Sequence, residues 1–480
     1  MIKGVNVTTS AKAVSEKVLR KITPKNAERK QILRLARRMQ NRVKRAARDF
    51  GLKAEARIDG SVAKDTWLSG EADVDIFMRV PKELSRQKLR TTCLEVAKKA
   101  AEEYPWVERF AEHPYLETWV EGTRVNIVPC YAVKQREWLS ATDRTPFHTR
   151  YVKKHLTARL RDEVRLLKRF MKGIGVYGAE IKIGGFSGYL CEVLVLHYKS
   201  FLNVLRSAAR WKHAQVIDLE NHYRNRLDEV KKLFEASLII IDPVDRGRNA
   251  AAAVVENRLD EFIAASKAFL EQPIIQFFYP VETKPILAND MVEELKNRGT
   301  DIVLIKFGEV RAVPDILWGQ LYRSLRGLGN MLKQNGFNVI RVATWSDEKV
   351  NNLFILELEN RRLSPVKKHI GPPVGAKEAK AFLEKHLGAP HTFSGPWIEK
   401  GRWMVEIQRK QIDAIDLLKD MLKDGGRDLG IARLVADQIK KSHKIFVNEE
   451  ILDFYTSNIS FAKFLTEFII GRPHWLVQPA

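Results

Sequence analysis

One short stretch constrains the fold and chemistry of this chain most strongly: Gly60-Ser61 followed, after eleven residues, by Asp73-Val74-Asp75. Side chains two residues apart in a β-strand point to the same face. Asp73 and Asp75 are therefore predicted to present paired carboxylates beside a tight turn with free backbone N–H groups. Such a turn can bind a triphosphate, and the carboxylates can hold Mg²⁺ ions that bridge it to an attacking hydroxyl.

Each half of this pattern is common alone, since Gly-Ser forms many turns and Asp-x-Asp occurs at many strand ends. The two together are more specific, because an apolar strand continues through Ile76 and Phe77. The combination resembles the signature of the DNA polymerase β-like nucleotidyltransferase superfamily, in which a Gly-Ser or Gly-Gly precedes an acidic-x-acidic strand. The predicted domain is a small α/β unit whose carboxylates lie on a sheet.

The charge of the chain indicates a polyanionic partner. The 480 residues carry a net charge of +23, from 82 Lys and Arg against 59 Asp and Glu. Solubility of a small domain needs a net charge of only about 2 to 8 in magnitude. The basic residues are spread along the chain, which favours a folded surface that binds nucleic acid.

The cysteines and the apolar runs indicate where the protein works. Cys93, Cys130 and Cys191 lie far apart, which argues against a zinc motif or a disulfide framework and fits a reducing cytoplasm. No apolar run reaches the roughly 18 residues of a membrane span, and the N-terminus lacks a secretory apolar core. We therefore expect a cytoplasmic protein with no membrane partner.

A chain of this length exceeds a single hydrophobic core and is expected to form several domains. The patterns predict four: an α/β domain at 1–149, a helical one at 150–270, a mixed α/β one at 271–390, and a basic, mostly helical one at 391–480.

Periodicity also predicts individual elements. In the first domain these are a helix at 24–50, strands at 53–58 and 73–80, a helix at about 85–104, and a hairpin over 115–128. In the second domain the chain is expected to break to a loop at Asp242-Pro243. The run HIGPPVG at 369–375 is expected to end the regular structure of the third domain.

Eight separated motifs occur in an order that chance does not readily produce. They are GSVAKDTWL with DVDIF, VNIVPCY, DRTPFHTRYV, EVRLLKRFMKGIGVYGAE, GGFSGYLCE, DPVDRGRNAAA, HIGPPV and GPWIEKGRWMVE. Together they resemble the archaeal (class I) CCA-adding tRNA nucleotidyltransferases over nearly the whole chain.

The resemblance implies an α+β multidomain fold: a polymerase β-like nucleotidyltransferase head, a helical neck that binds nucleotides, and an α/β body and a mostly helical tail that bind tRNA. The implied activity is synthesis or repair of the 3′-terminal CCA of tRNA from CTP and ATP, without a template and with release of pyrophosphate. Two Mg²⁺ ions are expected as cofactors, and the family suggests a homodimer.

The resemblance also assigns site residues. Asp73 and Asp75 match the first two metal-binding carboxylates. Seven further residues match nucleotide-binding positions of the family: Gly60, Ser61, Lys64, His148, Lys168, Tyr177 and Arg248. Cations and hydrogen-bond donors of these types suit a triphosphate.

One position departs from the family pattern. A third carboxylate is expected two residues before the Val-Pro of VPCY, where this chain has Asn126. Asparagine offers a neutral oxygen, so Asn126 can still be a catalytic metal ligand but removes one negative charge. The loss should weaken the metal that activates the attacking hydroxyl more than the metal that travels with the triphosphate.

Three explanations for Asn126 remain open. It is a natural variant that binds metal, an engineered change, or a position whose charge comes from a neighbour such as Glu117 or Glu121. For both glutamates, a solvated hairpin edge is the favoured expectation. Two other functions also remain open: a poly(A)-adding transferase of the same superfamily, and a catalytically weakened tRNA-binding protein.

Overall fold

The structure is a computed structural model, and it describes residues 2–110, 113–224 and 226–476. The chain divides into two compact units. The first unit holds residues 1–282 together with 472–480, and the second holds residues 283–471. None of the helices described is long and apolar enough to cross a membrane.

The first unit contains ten helices and eight strands over the described residues. In chain order these are α1 (Ile2–Ile22), α2 (Asn26–Asp49), β1 (Glu55–Asp59), α3 (Gly60–Lys64), β2 (Asp73–Val80), α4 (Arg86–Ala100), β3 (Trp106–Phe110), β4 (Pro114–Val120), β5 (Thr123–Tyr131), α5 (Thr145–His155), α6 (Ala158–Gly173), α7 (Gly188–Tyr198), α8 (Phe201–Ala208), β6 (Gln215–Asp218), α9 (Leu227–Phe234), β7 (Leu238–Asp242), β8 (Asp245–Asn249) and α10 (Glu256–Glu271).

A five-stranded sheet, in the order β1-β2-β5-β4-β3, forms the first half of this unit. Strands β2 and β5 are parallel, and the other neighbours are antiparallel. Val74, Ile76 and Met78 are buried in a core shared with α2 and α4. Because side chains alternate along a strand, Asp73 and Asp75 lie on the opposite face. The predicted helices, strands and hairpin of this region are confirmed, but the predicted Gly-Ser turn is the one-turn helix α3.

The second half of the first unit has a large apolar core. Helix α7 is buried along most of its length, and Phe170, Phe186 and Phe262 pack together within this core. The region is not purely helical, because it also contains the sheet β6-β7-β8. The break predicted at Asp242-Pro243 is the turn between β7 and β8. The β-branched run Ile239–Ile241 favours a strand there.

The second unit contains seven helices and seven strands over the residues that the structure describes. They are α11 (Ala288–Arg298), β9 (Asp301–Phe307), α12 (Pro314–Gln334), β10 (Val339–Ser346), β11 (Asn352–Leu358), β12 (Val366–Pro373), α13 (Ala379–His386), β13 (Thr392–Glu399), β14 (Arg402–Gln408), α14 (Ala414–Leu422), α15 (Arg433–Lys441), β15 (His443–Val447), α16 (Leu452–Ser457) and α17 (Ile459–Ile470).

Two antiparallel sheets organise this unit, with strand orders β10-β11-β9-β15 and β12-β14-β13. The expectation that residues 369–375 end the regular structure was wrong, because most of them lie in β12, which pairs with β14. This sheet crosses the boundary predicted at 390, and β15 returns to pair with β9. Residues 391–476, the part of the last region that the structure describes, therefore contain three strands besides their helices. The division into four domains stays a prediction.

Candidate active site

Strand pairing brings the predicted metal ligands together. Strands β2 and β5 run parallel, with Asp73 opposite Arg124 and Asp75 opposite Asn126. Paired residues share a face of the sheet. Asp73, Asp75 and Asn126 thus lie on one face, which we call the carboxylate face. The spacing of two between the aspartates produces this arrangement directly.

Gly60 lies against this face for a steric reason. It has a φ of +67°, and a Cβ at this position would lie 1.9 Å from Oδ2 of Asp75. Any other residue would therefore displace the carboxylate and strain the backbone. Glycine allows the start of α3 to approach Asp75 closely, as a phosphate-binding segment beside a metal ligand requires.

Both aspartates are held by strand β5. Nε of Arg124 donates to Oδ1 of Asp73 at 2.9 Å, and Nη2 of Arg124 donates to Oδ2. Nδ2 of Asn126 donates to Oδ1 of Asp75 at 2.9 Å. Burial raises the pKa of Asp75 to about 6, against the opposing effect of the Asn126 hydrogen bond. A bound cation would favour the ionised form of this carboxyl.

Lys64 and Lys168 share a buried partner that the sequence did not identify. Nζ of Lys64 donates to Glu192 at 2.6 Å, and Nζ of Lys168 lies 3.9 Å from the same carboxylate. Lys168 also donates to both oxygens of Thr66. Burial acts to raise the pKa of Glu192, but the two lysines outweigh it and hold the pKa below its usual range. The cluster presents two cations and one anion, a net charge of +1.

His148 and Arg248 converge on a second buried carboxylate, Asp242. Nε2 of His148 lies 2.8 Å from Oδ2 of Asp242, and Nη1 of Arg248 donates to the same oxygen at 2.6 Å. The hydroxyl of Tyr189 donates to Oδ1 at 2.9 Å, and its ring stacks on His148 at 3.9 Å. Burial lowers the pKa of His148, which keeps the ring neutral near pH 7 although Asp242 opposes the shift.

A cavity of about 330 Å³ joins most of these groups. Its lining includes eight of the ten predicted site residues: Gly60, Ser61, Lys64, Asp73, Asp75, Asn126, Lys168 and Tyr177. His148 and Arg248 are not in this lining. They connect to it through Tyr189, which lines the cavity and lies 5.9 Å from Nζ of Lys64.

The expectation of a solvated edge was wrong for Glu117. This residue is 5% exposed, lies opposite Asn126 on β4, and accepts two hydrogen bonds from Arg109. Glu121 does lie at an exposed turn, where Arg38 donates to it at 2.7 Å. Glu117 lies on an inner strand of the sheet, and the arginines of the two neighbouring strands, Arg109 on β3 and Arg124 on β5, lie against its carboxylate.

Sequence reasoning missed Arg124, Glu192, Tyr189 and Asp242. A signal existed for two of them. Glu192 is the single carboxylate within an apolar helix, and Asp242 ends an apolar strand. A carboxylate in such surroundings needs a buried partner, so each position predicts a nearby cation.

The donor set suits a divalent cation. Mg²⁺ prefers oxygen ligands and is commonly held by one or two carboxylates together with substrate phosphates. Asp73 and Asp75 supply two carboxylates, and Asn126 can add an amide oxygen. Within the described part of the chain, no group of three or more His, Cys, Asp or Glu is placed to hold a metal ion. The residues fit a cation shared with a nucleotide better than a cation held by protein alone.

Three family models match successive parts of the chain. The nucleotidyltransferase domain matches residues 40–156, and the second domain of tRNA nucleotidyltransferase matches residues 162–279. The C-terminal domain of the CCA-adding enzyme matches residues 298–448.

Curated relatives match over most of their length. The CCA-adding enzyme of Methanopyrus kandleri is 34% identical, with 97% of this chain and 98% of the relative covered. The enzyme of Methanosarcina barkeri is 39% identical, with 84% and 88% covered. That of Sulfurisphaera tokodaii is 36% identical, with 85% and 91% covered.

Proposed function

The chain belongs to the archaeal CCA-adding tRNA nucleotidyltransferases, and we propose that its carboxylate face is the centre that transfers the nucleotides. The protein adds the 3′-terminal CCA to tRNA without a nucleic-acid template. The observation that carries the proposal is the register of β2 and β5. It places Asp73, Asp75 and Asn126 on one face, beside Gly60 and a cavity lined by two lysines.

In this proposal, Asp73, Asp75 and the oxygen of Asn126 hold two Mg²⁺ ions. When bound, these ions lower the pKa of the tRNA 3′-hydroxyl and stabilise the charge that develops as pyrophosphate leaves the α-phosphate. The two aspartates differ in how they are held. Asp75 is packed against Gly60 and hydrogen-bonded to Asn126, whereas Asp73 is bound to the half-exposed guanidinium of Arg124.

The nucleotide is proposed to lie in the cavity beside this face. Backbone N–H groups at Gly60 and Ser61 and the ammonium groups of Lys64 and Lys168 would bind the triphosphate. Glu192 cancels part of the lysine charge, so the site would hold CTP or ATP without trapping pyrophosphate after transfer. Tyr177 lines the same cavity, and burial raises its pKa well above the usual value, so its hydroxyl stays a hydrogen-bond donor.

His148 and Arg248 are proposed to act next to the cavity through Tyr189 and Asp242. Neutral His148 donates to Asp242, which fixes the imidazole and the Tyr189 ring against each other. Arg248 extends from the same carboxylate and is partly exposed, so one face of its guanidinium is available to a base or phosphate. The three free, buried cysteines support a reducing compartment such as the cytoplasm.

The Asp75→Asn variant tests the proposed centre. We expect it to lose extension of a tRNA that lacks its CCA end, while tRNA affinity stays within a few-fold of wild type. Glu108→Gln removes the same charge from the same sheet, where Glu108 pairs with Lys98 at 2.9 Å, and should extend normally. Near-normal extension by Asp75→Asn would remove the carboxylate face from the mechanism.

A further inference from the structure

Glu117 is the neighbour of Asn126 on the side away from Asp75. The register pairs Asp75 with Asn126 across β2 and β5, and Asn126 with Glu117 across β5 and β4. Directly opposed residues have their Cβ atoms about 4.5–5.5 Å apart on the same face. The carboxylate of Glu117 therefore belongs to the same face as the predicted metal ligands, one strand further along the sheet.

Glu117 is buried but contacts two arginines. It is 5% exposed, and its Oε1 accepts hydrogen bonds from Arg109 Nη2 at 2.8 Å and Nε at 3.2 Å. Its other oxygen, Oε2, lies 3.6 Å from Nη1 of Arg124. A buried carboxylate is costly unless cations compensate it, and here both compensating groups are arginines of the flanking strands.

Arg124 is shared between Glu117 and Asp73. Two of its nitrogens, Nε and Nη2, donate to the two oxygens of Asp73, and the third, Nη1, faces Glu117. Its side chain is 46% exposed, so packing does not lock it in one place. One half-exposed cation thus links a predicted metal-binding carboxylate to a second carboxylate outside the centre.

We propose that Glu117 is a positioning residue that accepts Arg124 when Asp73 takes up a divalent cation. This inference rests on the proposed metal site at Asp73 and Asp75. A divalent cation at Asp73 repels the guanidinium. A movement of less than 1 Å closes the 3.6 Å gap between Arg124 Nη1 and Glu117 Oε2 to hydrogen-bond distance. Without Glu117, Arg124 remains on Asp73 and competes with the cation.

Because residue 126 is neutral, the movement of Arg124 from Asp73 to Glu117 becomes more important for cation binding. An aspartate there would add a negative charge beside Asp75 and favour the cation directly. With Asn126, the centre holds only two carboxylates, and Arg124 occupies one of them. Removal of this internal competitor is then a main way in which the chain can raise its affinity for the cation.

Mn²⁺ binding to the full chain, followed by electron paramagnetic resonance of the free ion, tests the proposal. Glu117→Gln should weaken Mn²⁺ binding several-fold. Arg124→Gln should strengthen it, because the competitor is gone. Adding Glu117→Gln to Arg124→Gln should change Mn²⁺ binding less than twofold, because Glu117 acts only through Arg124. Glu108→Gln and Arg38→Gln are the charge-matched controls and should bind Mn²⁺ as wild type does.

Two results would overturn the proposal: no effect of Glu117→Gln alone, or an equal loss in the presence and absence of Arg124. The second result would make Glu117 a direct ligand. Should Glu117→Gln fail to fold, Glu117→Asp keeps the charge and should lose less than twofold in Mn²⁺ affinity, whereas a larger loss would count against the proposal. Asp75→Asn separates this inference from its premise, because unchanged Mn²⁺ binding by that variant would refute the metal site itself.

Discussion

Two clusters of charged residues line the same cavity, and their charges are compensated in different ways. The lysine cluster of Lys64, Lys168 and Glu192 is almost fully enclosed, and its buried glutamate compensates part of the lysine charge. The carboxylate face is more exposed at Asp73, and its compensation there is a half-exposed arginine. The lysine cluster is therefore suited to keep a fixed geometry, and the carboxylate face is suited to exchange Arg124 for a divalent cation.

The difference indicates which group tolerates change. A buried ion pair that loses one partner leaves an uncompensated charge, which destabilises the fold. Asp75 shows the reverse. Because burial raises its pKa to about 6, the ionised form costs stability at neutral pH, and a neutral replacement relieves that cost. We therefore expect a neutral substitution in the lysine cluster to lower stability, and one at Asp75 to lower activity without lowering stability.

The largest effect on stability is expected from Glu192→Gln. The change leaves Lys64 and Lys168 buried together without an anion, and we expect a loss of about 3 kcal/mol. Thermal melting measures this loss. Glu95→Gln is the control, because Glu95 is exposed at the surface, where it pairs with Lys98. Asp75→Asn should melt at or above the wild-type temperature. A Glu192→Gln variant as stable as Asp75→Asn would erase the contrast between the two groups.

The sequence predicted the site residues that depend on local pattern and missed those that depend on partners distant in the chain. Asp73 and Asp75 were predicted to share a face because strand periodicity is local, whereas Asn126 was assigned only by the family resemblance; the register of β2 and β5 puts all three on one face. Glu192 and Asp242 were missed, since each has a partner that is distant in sequence: Lys64 lies 128 residues from Glu192, and His148 lies 94 residues from Asp242. Glu117 was assigned to the wrong environment because its carboxylate is covered by Arg109 of β3 and Arg124 of β5, and residues 115–128 alone do not specify that β3 pairs with β4.

A smaller effect, on rate alone, is expected from Asn126→Asp. The added carboxylate restores the negative charge that the centre lacks, so extension should be several-fold faster while tRNA binding is unchanged. Single-turnover extension and filter binding measure the two quantities. Asn297→Asp, at an exposed position of α11, is the control. Equal rates for wild type and Asn126→Asp would show that a third carboxylate is dispensable in this chain.

The smallest effect concerns pH. Burial lowers the pKa of His148 in the folded protein. As the pH falls below about 6.5, His148 therefore binds a proton in the unfolded chain but stays neutral in the folded one. Stability is therefore fully present above pH 6.5 and falls as the pH drops below it, by at most about 1.4 kcal/mol per pH unit for this group. His148→Asn should melt with a weaker dependence between pH 7.5 and 5.5, and exposed His213→Asn should not. An unchanged dependence in His148→Asn would mean that the imidazole is protonated in the folded protein.

The products formed on a tRNA without its CCA end test the central claim most directly. The full chain is given CTP alone, ATP alone, or both, and the products are resolved to single-nucleotide length. We predict addition of C residues with CTP alone and a completed CCA end, without further growth, when both are present. Long A tails made from ATP alone would contradict this account.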